Sequence, residues 1–251
     1  MADKIDADAA KPITQPTISS ILNDFVHKHQ MSSQRDAADA ENDRTFPPTD
    51  KAARATIQAA VDVDNQILAL ARAGKPIPQS LIDSATRTHA ATSADAQRDR
   101  SGDNDAMRDD KSNVGAEQLV INSDQRLLRH ANITPEVRRM LEQDIASKQR
   151  LIANDQQDFG IEAGYVKHDI AELAANDRLA KALKGNRADL IPALEASLAA
   201  KINIALDRGD DMVREPRYAH ADDQDQKINE MLLDALRDPC VWASLHAKKH
   251  N

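Results

Sequence analysis

Residues 134–152, Thr134 to Ile152 (TPEVRRMLEQDIASKQRLI), decide the fold class. Thr134 is a helix cap, Pro135 has the fixed backbone angle and missing N–H that suit a first helical position, and Glu136 complements the positive end of the helix. Val137, Met140/Leu141, Ile145, Lys148 and Leu151/Ile152 then recur on one side, a heptad-like seam of about five turns.

Downstream, residues 155–164 contain Gly160 and Gly164 and read as a break. Tyr165 to Ala175 repeats the helical spacing with Val166, Ile170 and Leu173, and a short helix from Asp177 to Lys184 stops at Gly185. Asp189 to Arg208 reads as a long helix with Pro192 in its first turn and Gly209 after it. KINIAL (201–206) alternates like a strand, but Leu198, Ile202 and Leu206 are four apart and the flanking caps favour helix. After an irregular stretch, a helix begins at Asp222 or Asp223 with Ile228, Met231, Leu232, Ala235 and Leu236. Pro239 separates it from a last short helix, Cys240 to His250.

Upstream, residues 115–251 thus form one helical bundle, preceded by a polar linker at 99–114 (DRSGDNDAMRDDKSNV). Residues 49–98 predict a helical hairpin: one helix from the Thr49/Asp50 cap to Ala73, the connection KPIP at 75–78, and a second helix from Gln79. Residues 1–48 read as an N-terminal arm, whose amphipathic helix at 17–30 carries Ile18, Ile21, Leu22, Phe25 and Val26 on one stripe. Residues 31–48, ending in Pro47-Pro48, read as a linker. The expected fold is all-α, an irregular helical bundle of αα-hairpins with an N-terminal arm.

Composition agrees. Of 251 residues, 42 are alanine and 2% are aromatic, which suits thin helix pairs and argues against an all-β chain. There are 33 basic and 41 acidic residues, for a net charge of -8, poor for a nucleic-acid binder. Of the acids, 32 are Asp and 9 are Glu, a bias expected of many short helices with Asp at their caps. The single Cys240 cannot form an intrachain disulfide, and no apolar run of membrane-spanning length occurs. Charged residues Asp3, Lys4, Asp6 and Asp8 stand where a signal peptide needs an apolar stretch, so the expected location is cytoplasmic, or outside the cell without a cleaved signal.

No phosphate-binding glycine loop, nucleophile elbow, zincin helix or Cys-x-x-Cys pair occurs. Asp103-Asn104-Asp105 begins like a calcium loop, but Met107 and Arg108 stand where that loop needs an oxygen ligand and a glycine. His246 and His250 share a helix face at the chain end, and Arg208-Gly209-Asp210 spells an integrin tripeptide at a helix end.

Tyr165-Val166-Lys167-His168-Asp169-Ile170-Ala171-Glu172-Leu173 resembles the motif of the HD-domain phosphohydrolases, an all-α family that binds a divalent metal. The resemblance implies His130 as first ligand, His168 and Asp169 as the adjacent pair, and Asp234 as last ligand, holding a metal that activates water against a phosphoester. Lys167 departs from the small apolar residue usual before the pair, and Pro135 interrupts the helix expected after His130. The leading expectation is therefore a non-enzymatic interaction or structural protein acting through helix surfaces, of the virion-internal, secreted-effector or adaptor type. It needs no cofactor, and its partner is a protein or a second copy bound through amphipathic helices. The stripe Ile18, Ile21, Leu22, Phe25 and Val26 is its docking element.

Overall fold

The computed structural model describes residues 17–130, 132–185 and 187–247. Four long helices carry nearly all of them: α1 (Ile18–Arg72), α2 (Gln79–Leu128), α3 (Pro135–Lys184) and α4 (Leu190–Arg237). A single 3-10 turn, Arg187–Asp189, precedes α4, and the short α5 (Pro239–His246) follows it. No strand occurs among the described residues. At 1.5 Å per residue each long helix spans roughly 75 Å. Short connections make successive helices antiparallel. α1 packs on α2 and α4, α3 packs on α2 and α4, and the pairs α1/α3 and α2/α4 lie across the diagonals of a four-helix bundle.

The helix ends obey local chemistry. Thr17 Oγ1 accepts from the Ser20 N–H at 3.2 Å, and Thr134 Oγ1 from the Val137 N–H at 3.3 Å. Gly74, with φ +64, takes the left-handed conformation that ends α1, and Pro78 leads into α2. Asp238 caps α5 by accepting from the Cys240 N–H at 2.7 Å.

The interior of the helices departs from the sequence expectation in one consistent way. Residues 31–48 and 99–114 are not linkers but lie inside α1 and α2. Gly160 and Gly164 do not break α3, and residues 209–221, with Pro216, continue α4. Arm, hairpin and bundle are therefore one bundle, with α1 lying along α4. Glycine costs an exposed helix only about 1 kcal/mol, and packing along the whole length outweighs several such losses.

What packs is a seven-residue repeat. On α1 it runs Leu22, His29, Asp36, Asp43, Asp50, Ile57, Asp64; on α4 it runs Leu194, Lys201, Arg208, Glu215, Asp222, Asn229, Leu236. On α3, Leu141, Lys148, Asp155, Glu162, Asp169 and Asn176 follow the same spacing. This is the period of a left-handed supercoil, but most of its inner positions are polar.

Apolar residues close the two ends. At one, Leu22, Phe25, Leu127, Val137, Leu141, Leu232, Leu233, Leu236 and Leu245 pack together, with Ile18, Ile21 and Val26 beside them. The stripe expected to dock a partner is thus core of its own chain. Leu22 and Phe25 have no exposed surface, because each such side chain stabilises the fold by roughly 1.5–3 kcal/mol when buried. At the other end Ile67, Leu68, Ala85, Leu179, Leu190 and Leu194 form the second cluster.

Candidate functional site: the acidic interior

Between the apolar ends, the helices bury charge. Among the described residues the buried set includes fourteen Asp or Glu but only four Lys or Arg, Lys148, Lys201, Arg208 and Arg214, with His29 and His89. The charges are arranged in layers along the axis.

Next to the first apolar end, His29 reaches Asp124 Oδ1 at 3.1 Å and Asp144 Oδ2 at 3.2 Å through Nε2, while its Nδ1 donates to the Phe25 carbonyl at 2.9 Å. Burial disfavours a charged imidazole here, but the hydrogen bonds and negative charges of the two carboxylates outweigh it and push His29 up to about 9. Burial would also raise Asp144, yet His29 holds it below the ordinary carboxylate value.

One layer inward, Lys148 bonds Ser32 and Asp225 and lies 3.0 Å from Glu117 and 3.4 Å from Asp36. Asn229 donates to Asp36 at 3.1 Å and to Asp225 at 3.0 Å. Near the other end, Lys201 lies 2.9 Å from Asn176 Oδ1 and 3.3 Å from Asp64, which also takes His89 at 2.7 Å and Ser197 at 2.9 Å. These two layers are close to balanced, since each lysine faces carboxylates that other donors also satisfy.

The middle is not balanced. A cavity of about 340 Å³ opens between the helices, and thirteen of the 22 residues lining it are Asp or Glu, against one base, Arg208. All four long helices contribute: Asp43 from α1, Asp103 and Asp110 from α2, Asp155, Asp158 and Glu162 from α3, Asp211, Glu215 and Asp222 from α4. Exposed Asp105 and Asp109 form part of the lining, so the cavity reaches the surface.

Arg214 gathers the acids on one side, at 2.6 Å from Asp158, 2.9 Å from Glu162, 2.5 Å from Asp211 and 3.1 Å from Glu215, with the rings of Tyr165 and Tyr218 beneath its guanidinium. Arg208 pairs with Asp99 and, at 3.1 Å, with Asp50. Burial, reinforced by neighbouring carboxylates, pushes Asp103 up to about 10, Asp43 to about 9, and Asp110 and Asp222 to about 8. Asp211 is also raised to about 8, by burial and acid neighbours that outweigh Arg214. Glu162 is likewise raised to about 7, by burial and the neighbouring Asp158, which outweigh Arg214.

The residues that resemble an HD motif are scattered. His130 lies at the start of the connection after α2, and Asp169 lies 32 residues along α3 from Val137 at that same end, roughly 50 Å away by helical rise. His168 and Asp169 are consecutive on a helix and point in different directions. His168 is 40% exposed and pairs with Asp207 at 2.8 Å, while Asp169 is wholly buried. Asp234 is exposed and pairs with Arg237 at 3.0 Å. The four do not meet, and of them only Asp169 belongs to the interior. The calcium-like triplet is helical; Asp103 turns inward while Asp105 pairs with Arg108 at 2.8 Å. Arg208 of the tripeptide is buried on α4, and His250 lies outside the described residues.

Apolar periodicity does not reveal this interior, because its inner positions are polar. Its signal was the spacing of Asp: 36, 43 and 50 on α1, and 103, 110, 117 and 124, with Glu at 117, on α2. The excess of Asp over Glu is present here too: eleven of the thirteen acids lining the cavity are Asp. It does not mark many helix caps, since the described chain has few helix starts. Asp fills inner positions, where a short carboxylate facing its counterparts leaves space unfilled.

No family model matches the chain, and no curated protein or solved structure is significantly similar to it. No helix among the described residues is long and apolar enough to cross a membrane.

Proposed function

We propose that the chain is a non-enzymatic helical bundle that takes up cations in the acidic middle of its interior. One observation carries this: thirteen acids and one base line a single cavity that reaches the surface. Buried carboxylates repel one another strongly in a medium of low polarity, and only protons or added cations relieve them. Two of the layers have a built-in lysine for this purpose, and the middle is short of one. Titration calorimetry of the full chain, stripped with a chelator and held in about 0.1 M KCl, where charges farther apart than about 10 Å are screened, tests the proposal. Calcium or manganese chloride should give saturable binding and raise the melting temperature. An absence of saturable heat together with an unchanged melting temperature overturns it.

A second reading keeps the expected action through helix surfaces but moves it to another face. On α4, Ile202, Leu206 and Val213 lie on one side and are 56%, 66% and 54% exposed. This apolar stripe favours association with a protein or with a second copy.

A further inference from the structure

Asp169 has no exposed surface, and neither of its carboxylate oxygens accepts a hydrogen bond. A buried carboxylate in that condition costs several kcal/mol, unless it is protonated or holds a ligand. Asp169 faces Asp99 and Asp103, one turn apart on α2, and one oxygen from each of the three lies within 4.8 Å of the others. Asp103 is 8% exposed and also has an oxygen without a partner.

We propose that Asp99, Asp103 and Asp169 form a site for a hard divalent cation of the size of Ca²⁺. This rests on the cation-binding reading of the interior and names the place and the ligand class. The three donors are all carboxylate oxygens, which suit a hard ion and offer nothing to a softer metal that prefers nitrogen or sulfur. Calcium takes oxygens at about 2.3–2.6 Å in flexible geometry, and three donors no more than 4.8 Å apart are within a few tenths of an ångström of closing on such an ion. Magnesium demands a smaller and near-ideal octahedron. Arg208 neutralises Asp99 in part, but its bonds go to Asp50 and Asp99, and Asp169 is left over. Asp99 and Asp103 also line the cavity, which supplies the path from solvent and room for the water ligands such an ion retains.

Terbium, a luminescent probe for calcium sites, tests this on the full chain. Tyr165 stands one turn before Asp169 on α3 and is buried, so an ion held here should show tyrosine-sensitised emission. Wild type should bind terbium with that emission, and excess Ca²⁺ should displace it. Asp169→Asn keeps the shape and removes the charge. It should weaken binding at least tenfold and abolish the sensitised emission while the helical circular dichroism is retained. Asp103→Asn should do the same, and stands as the test if Asp169→Asn fails to fold. Asp83→Asn, exposed on α2 and outside the cavity, should change nothing. If wild type binds neither terbium nor Ca²⁺, this site and the interior cation reading both fail. If wild type binds and the two interior variants bind equally well with the same emission, the site is wrong and the interior reading survives. Sensitised terbium that Ca²⁺ does not displace overturns the assignment of ion class.

Discussion

At the scale of single residues, the chain separates what a side chain prefers from what its position requires. Phe25 and Leu22 were legible as apolar and as sharing a face; that their partners are Leu127, Val137, Leu141 and Leu232 of the same chain was not, since a stripe carries no address. Glycine is the opposite case. Gly160 and Gly164 read as a break and Gly115 as the first residue after a linker, yet each lies inside a helix, and a methyl group built on any of them meets nothing within 4 Å. The backbone there is helical and right-handed, so alanine fits without strain and restricts the unfolded chain. Gly115→Ala, Gly160→Ala and Gly164→Ala should each stabilise the protein by about 0.5–1 kcal/mol, read as a higher urea midpoint with an unchanged slope. A loss of stability at all three would mean that these positions are not helical.

At the scale of elements, α4 shows why apolar spacing does not mark where a helix ends. Its two apolar stretches, 189–208 and 222–237, are visible, and the residues between them look irregular because charge continues from Arg208, at the end of the first stretch, through Asp211, Arg214 and Glu215. Those four are buried on the inner face, so the helix is continuous and its polar stretch faces inward. The outer face of the same helix carries the exposed Ile202, Leu206 and Val213. If that stripe associates, Ile202→Asp combined with Leu206→Asp should shift sedimentation from a concentration-dependent oligomer to a monomer, with the melting temperature nearly unchanged. A wild type that is monomeric at all concentrations and captures no partner through this face removes the surface reading.

At the scale of the whole molecule, the acidic interior sets the response to pH. Asp103, Asp43, Asp110, Asp211 and Asp222 hold protons in the folded chain at pH values where the unfolded chain, with carboxylates near 4, has lost them. The folded state therefore binds more protons, and stability falls as pH rises from about 4 through the folded values of about 8 to 10. His29, raised to about 9, has the same sign. In chelator, the melting temperature should be higher at pH 5.5 than at pH 9, against the usual acid weakening, and Ca²⁺ should narrow the difference by replacing the lost protons. A melting temperature that climbs steadily toward pH 9 in chelator would falsify the picture of an acid-overloaded core. By itself the sequence determined the all-α class, the cap at Thr134, a helix beginning near Thr17 and the connection at 75–78, because these depend on residues within a few positions of each other. Only the tertiary structure decided that four continuous helices enclose a charged middle. Whether an Asp faces water or its counterparts on three other helices depends on which side the apolar ends force inward, and those ends lie about 40 residues apart along each helix.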